Sequence, residues 1–378
     1  MGEQEAKERA TPATGETDLT EFSNTIRLTG REWILVGAFA ALLVVLAPWL
    51  WEQKEVFVPG ADYRIPHELG NDYWLYERYA GLAAKQYDTL LIGDSVLWGE
   101  YVTRENTLSH FLNRKEGRQR YANLGLDGTH PLALAGLVEH YAGSVTGKKV
   151  VLQWNALWMS SARRDLQDEE YTDFNHPRLV PQFFPSLPSY PYEKTDLSTR
   201  IGIEVERQLP FNSWTNHLQQ AYYGASDIPG WTLEHPYESP LAPLRDGLPP
   251  SDETLRQLPV PWFEKGIKKE DFPWVDPETS LQWHAFQRMV QLLERRGNRV
   301  FVLVGPFNEH MLEPESRARL AEVKRKVARW LEAEGIAYRV MTPLPSELYA
   351  DASHPLAAGY EMLAGELLHE PFFASGAP

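Results

Sequence analysis

The run over 33–51, WILVGAFAALLVVLAPWLW, holds nineteen residues without a charge. An α-helix rises about 1.5 Å per residue, so this run reaches roughly 28 Å, the thickness of a bilayer's hydrocarbon core. Trp33 stands at one end, and Trp49 and Trp51 at the other, where interfacial indoles belong. Pro48 falls in the last turn, where losing a helix hydrogen bond costs least. The run is apolar all round and its flanks are polar, which does not suit a buried core helix. Nor does it suit a cleaved signal peptide: 32 residues precede it, and Ala47-Pro48-Trp49 is not a small-x-small cleavage site. The sequence therefore predicts an uncleaved single-pass helix over 33–51 that contacts the lipid bilayer, after a flexible polar tail over 1–32. Arg27 and Arg31 lie nearer the run than Lys54 and Arg64. That bias places the N-terminus inside and the rest of the chain outside.

Past a connecting segment over 52–86, which carries a helical pattern over 71–85, short apolar runs resemble buried strands. They cover 87–92, 121–126, 149–154, 299–304 and 336–341. Amphipathic helical patterns over 130–144, 278–296, 314–334 and 355–368 separate or follow them. Strands alternating with helices imply βαβ units. The expected fold is α/β, a flavodoxin-like three-layer α/β/α domain over 87–378 around a central, mostly parallel five-stranded sheet. Sites in such folds collect at the carboxyl ends of the strands. Between the third and fourth strands the alternation stops: residues 160–280 hold 16 of the 28 prolines. A long stretch without periodic structure is an insertion serving function or a partner-facing decoration. Its point of departure from the sheet favours a substrate-shaping cap.

Charge and composition exclude several classes. With 37 basic and 52 acidic residues the net charge is −15, the wrong sign for a nucleic-acid footprint. There is no cysteine, which removes thiolate nucleophiles, disulfides and Cys-ligated metals. The histidines show no HExxH or His-x-His pattern and no Gly-rich phosphate loop is present, so neither metal nor cofactor is expected. The 45 aromatic rings (13 Trp, 17 Tyr, 15 Phe) suit a packed core or a carbohydrate or membrane surface.

Gly93-Asp94-Ser95 directly follows the first strand, where a glycine-permitted turn would lift a serine to the edge of the sheet. Three further elements come in order: Asn123-Leu-Gly-Leu-Asp-Gly128, Gln153-Trp-Asn155, and Asp351-Ala-Ser-His354-Pro355. Together these resemble the four blocks of the SGNH (GDSL) hydrolase family. The resemblance covers about 87–155 and 299–368 and skips the apolar run and the insertion. It implies Ser95 as nucleophile, His354 as its general base and Asp351 as the group orienting the imidazole. It also implies Gly128, through its N–H, and Asn155, through its amide, as oxyanion donors beside the Ser95 N–H. Asn155 departs from the family's commoner Gly-Asn-Asp context, since Trp154 precedes it and Ala156 follows. A strand-end cap for Asn155 and a turn glycine at 128 stay open. The types suit acyl transfer: a serine hydroxyl needs an imidazole to take its proton, and the imidazole needs a carboxylate to hold its tautomer. Gly305-Pro-Phe-Asn-Glu309-His310 should open onto the same edge, making Asn308 and Glu309 candidates for substrate binding.

The arrangement of one N-terminal span and an SGNH-like domain resembles bacterial proteins that work with multispan membrane-bound O-acyltransferases in polysaccharide acetylation or teichoic-acid alanylation. It implies a serine esterase or O-acyltransferase on the periplasmic side of the cytoplasmic membrane, acting on acyl, chiefly acetyl, groups of a cell-surface carbohydrate. The alternative is a non-catalytic SGNH-like module that docks a glycan or a membrane acyltransferase.

Overall fold

The computed structural model describes residues 28–168, 175–183, 196–245, 247–249 and 255–374. The predicted tail lies outside them up to residue 27. Helix α1 (Gly30–Lys54) then begins three residues before the apolar run and continues three beyond it. Its start is a capping box, in which Thr29 Oγ1 accepts the Glu32 N–H and the Glu32 carboxylate accepts the Thr29 N–H at 2.7 Å. At about 1.5 Å per residue its 25 residues reach roughly 37 Å. Among the described residues it is the one helix long and apolar enough to cross a membrane.

The rest is α/β. Five strands, β1 (Thr89–Ile92), β2 (Tyr121–Asn123), β3 (Lys149–Trp154), β4 (Arg299–Val304) and β5 (Ala337–Val340), form one sheet in the order β2-β1-β3-β4-β5. Every pairing is parallel, with Leu91 opposite Asn123 and Val151, and Val151 opposite Phe301. β1 and all but the first residue of β3 and β4 are buried, as strands covered on both faces must be. In this order the chain reverses direction across the sheet between β1 and β3, so the loops after those two strands flank the crevice.

Helices α2 (Tyr73–Gln86), α5 (Pro131–Tyr141), α9 (Leu281–Arg295), α10 (Pro314–Ala333) and α11 (Ala357–Leu367) fall within a few residues of the predicted patterns. Two others carried no clear signal: α3 (Ser95–Trp98), a single turn, and α4 (Leu108–Glu116), which completes the crossover from β1 to β2. α5 packs against α9, and α4 against α11.

The proline-rich insertion departs from the expectation of an aperiodic stretch. It contains α6 (Leu197–Gln208), α7 (Pro210–Tyr222) and α8 (Ile228–Glu234). Pro210 and Pro229 sit in the first turns of α7 and α8, where a proline starts a helix instead of breaking it. α7 packs against α1 and α2. The fastening is polar and buried. Glu55, which caps α1, accepts hydrogen bonds from His217 Nε2 at 2.8 Å, Tyr222 at 2.6 Å and Trp51 Nε1 at 3.1 Å, and pairs with Arg78. Asp72, the cap of α2, meets His217 Nδ1 at 2.6 Å. Burial opposes a charge on His217, but the two carboxylates outweigh it and lift the imidazole to about 9.

Candidate active site

β1 ends at Gly93. A Cβ there would sit 2.9 Å from Leu97 Cδ1 and 3.0 Å from Gln153 Cβ, so any larger residue would have to push these side chains aside. Asp94 caps α3 by accepting the Val96 N–H at 2.9 Å, which makes Ser95 the first helical residue. Such a residue has no i−4 acceptor, so its N–H faces outward from the turn. The end of β2 and the segment after it brace the back of this short helix. Asn123 Nδ2 donates to the Leu97 carbonyl at 2.8 Å, and a Cβ on Gly125 would lie 2.5 Å from the Trp98 nitrogen.

The third group arrives from the far end of the chain. His354 Nε2 lies 2.8 Å from Ser95 Oγ across 259 residues of sequence, and its Nδ1 is 2.8 Å from both oxygens of Asp351. Asp351 Oδ1 also accepts the N–H groups of Ser353 and His354, at 2.9 and 3.0 Å, so one tight turn fixes carboxylate and imidazole together. Burial opposes ionisation of Asp351, yet His354 and these N–H groups hold its carboxyl far below the usual range. Burial also opposes charge on His354, while Asp351, with Asp94 and Glu100 behind it, raises the imidazole above its ordinary value. Ser95 and His354 are each only 9% exposed, less open than a serine at a sheet's crest is expected to be.

Asn155 follows β3 and faces the same turn. Its Nδ2 donates to Asp94 Oδ2 at 2.8 Å, and Trp158 Nε1 donates to that oxygen at 2.8 Å as well. An amide carries two N–H bonds and Asp94 takes one, which holds the other in a set direction. The Asn155 Oδ1 accepts the Leu157 N–H at 3.0 Å, so the strand-end cap and the ordered amide are both real. Gly128 has φ +70°, a conformation that favours glycine, and a Cβ there would approach Asn175 Nδ2 to 2.8 Å. It lines a cavity of about 380 Å³ with His67, Asp127 and His176. Among the described residues no hydrogen bond ties Gly128 to Ser95 or His354.

The two residues expected to bind substrate are placed otherwise. Asn308 is fully buried; its Nδ2 donates to the Asp351 carbonyl at 3.0 Å and its N–H to the Ala352 carbonyl at 2.8 Å. It positions the Asp351–His354 turn. Glu309 pairs with Lys324 of α10 at 2.6 Å. His310 Nε2 lies 2.9 Å from the Leu344 carbonyl.

Several neighbours carried no sequence signal. Glu100 donates its N–H to the Ser95 carbonyl at 3.2 Å, and its Oε2 is buried without a hydrogen-bond partner. Burial first, and Asp127 second, push its carboxyl up to about 7. Arg256 reaches in from the insertion, 3.9 Å from Glu100 and from Asp127, with Nη1 2.7 Å from His67 Nδ1. Tyr101 stands 5.5 Å from the His354 ring, and Lys265 lies 3.8 Å over Tyr101. Thus the insertion divides: α7 serves α1, while Arg256 and Lys265 serve the site. Among the described residues no cluster of three or more His, Asp or Glu is placed to hold a metal ion.

No family model and no curated protein matches the chain. Its chemistry is therefore argued from the side chains themselves. A hydroxyl, an imidazole and a carboxylate in line, beside an outward helix N–H and an oriented amide, can activate an alcohol and receive negative charge on an acyl oxygen.

Proposed function

We propose that the chain is a membrane-anchored serine acyl-enzyme of the kind that the SGNH resemblance implies. It would act on O-acyl, chiefly acetyl, groups of a cell-surface carbohydrate, with a flavodoxin-like three-layer catalytic domain on the periplasmic side of a bacterial inner membrane. The single observation that carries this reading is the 2.8 Å contact between Ser95 Oγ and His354 Nε2, with Asp351 behind it. Strand order and the apolar α1 support its setting.

In this mechanism Oγ attacks the acyl carbon as Nε2 takes its proton. The Ser95 N–H, the second Asn155 N–H and the Gly128 N–H receive the oxyanion, and Nε2 then hands the proton to the departing alcohol. Water or a second hydroxyl attacks the acyl-serine by the same steps reversed. Water gives an esterase; a sugar hydroxyl, with the acyl group supplied through a multispan membrane acyltransferase, gives a transferase.

The full chain in detergent should release p-nitrophenol from p-nitrophenyl acetate, and Ser95→Ala should lose this by several orders of magnitude. A fluorophosphonate probe should label the wild type at Ser95 only. Equal rates for wild type and Ser95→Ala, with no labelling, would overturn the proposal in favour of a glycan-docking or acyltransferase-docking module.

A further inference from the structure

None of the twelve residues of α6 is buried. Leu197, Ile201, Val205 and Leu209, at i, i+4, i+8 and i+12, are 62, 48, 43 and 41% exposed and make one apolar stripe. Successive members advance about 40° round the axis, so the stripe spans roughly a third of the circumference. The polar side is occupied within the protein. Arg207 pairs with Glu204 at 2.8 Å, Glu206 with Arg178 at 3.0 Å, and Arg200 donates to the Gln182 carbonyl at 2.9 Å. A helix this short is marginal in water without a covered apolar face.

Its position says what covers it. α6 runs through Leu209 into α7, whose Trp214 lies 6.3 Å from Trp51 of α1 and 5.3 Å from Phe211. Gln208 and Pro210 share a groove of about 750 Å³ with Val45, Pro48 and Trp49. The α6–α7 corner is therefore level with the last turns of α1, where its tryptophans mark the boundary between acyl chains and headgroups. Beside the exit of α1, Val56 and Val58 are exposed as well.

The geometry points to α6 as an in-plane membrane helix: its Leu197/Ile201/Val205/Leu209 stripe lies in the headgroup–acyl boundary of the leaflet that α1 leaves. The occupant is lipid because the α6–α7 corner borders the last turns of the apolar helix, beside the exposed Val56 and Val58, and the charged residues of α6 are already paired within the protein. This rests on α1 crossing the bilayer, as proposed above.

The chain has no cysteine, so single-cysteine variants can be labelled without background. Ile201→Cys, Val205→Cys, Val45→Cys in α1 and Glu315→Cys on α10 would each carry an environment-sensitive nitrobenzoxadiazole dye. The full chain would be placed in phosphatidylcholine–phosphatidylglycerol nanodiscs, with and without lipids bearing a shallow acyl nitroxide. Labels at 201 and 205 should be quenched at least threefold more than the label at 315. If 45 is quenched but 201 and 205 behave like 315, the in-plane helix is wrong and the membrane span stands. If 45 is not quenched either, the span fails and takes this inference with it. Unquenched 201 and 205 labels that blue-shift only when native membrane proteins are co-reconstituted would assign the stripe to a protein partner and overturn the lipid assignment.

Discussion

Asp94 offers a sharp test of how the site is built. Its buried carboxylate accepts from Val96 N–H at 2.9 Å and from Asn155 Nδ2 and Trp158 Nε1 at 2.8 Å each. Asp94→Asn keeps the shape but replaces one acceptor oxygen by an NH₂ group, so at least one donor faces another donor. If Asn155 supplies an oxyanion contact, removing it as Asn155→Ala should cost about 2.7–4 kcal/mol of barrier, roughly 10²–10³ in kcat. Asp94→Asn also removes a charge that raises His354, so the variants are compared on the high-pH plateau where the imidazole is neutral in each; there it should lose up to about as much, by releasing the same amide, while KM changes little. The double variant is decisive. Serial action predicts roughly the loss of Asn155→Ala alone, about 10²–10³, whereas independent action predicts the product, on the order of 10⁴–10⁶. Initial rates on p-nitrophenyl acetate, with circular dichroism to verify folding, measure all four corners. Multiplying effects, or an Asn155→Ala enzyme with wild-type kcat, would refute the oriented-amide argument.

Five further outcomes follow from the geometry. On the proposed function His354 must be neutral to act as base, and Asp351, Asp94 and Glu100 raise it, so the acid limb of kcat/KM should lie above the ordinary imidazole value of 6.5, with activity rising as pH rises through it. Glu100→Gln removes one of those charges and should move the limb downward, read from a full pH–rate profile; an unmoved limb would show that Glu100 does not act on His354. His217 has a folded pKa raised to about 9, so its stabilisation is complete below pH 6.5 and is lost as pH climbs through 9. Thermal melts of the wild type should therefore fall between pH 7 and 9.5 more steeply than those of His217→Gln. Gly125→Ala drives a methyl to within 2.5 Å of the Trp98 nitrogen and should destabilise by about 1–3 kcal/mol in urea unfolding. Asn308→Ala frees the Asp351 carbonyl and should lower kcat on the order of tenfold or more with KM nearly constant, marking a positioning residue.

The sheet was readable because buried parallel strands are short apolar runs with polar ends. Lys149 and Arg299 start β3 and β4, and both strands fall on the expected residues. α4 escaped because LSHFLNRKE offers few apolar residues to set a period. α7 and α8 escaped because Pro210 and Pro229 look like breakers when their neighbours are unknown. At the site, Ser95, Asp351 and His354 were singled out by the resemblance that their blocks carry, and the structure brings the three side chains together. The roles of Asn308 and Glu309 were not legible, since the loop after β4 turns inward and spends its amide on the Asp351 backbone. Glu100, Arg256 and Lys265 meet the site only through tertiary folding, and no local pattern announces them.

The buried cluster around Glu55 decides how far the catalytic centre can travel. Because α1 passes into the folded body through this cluster, a membrane-spanning α1 would leave the height and tilt of Ser95 above the lipid set by the fold itself. On the proposed function the site samples only a thin slab of space, and a carbohydrate strand would have to enter that slab to be acylated or stripped. Lengthening the joint at residues 55–58 should widen the zone it reaches while loosening its aim.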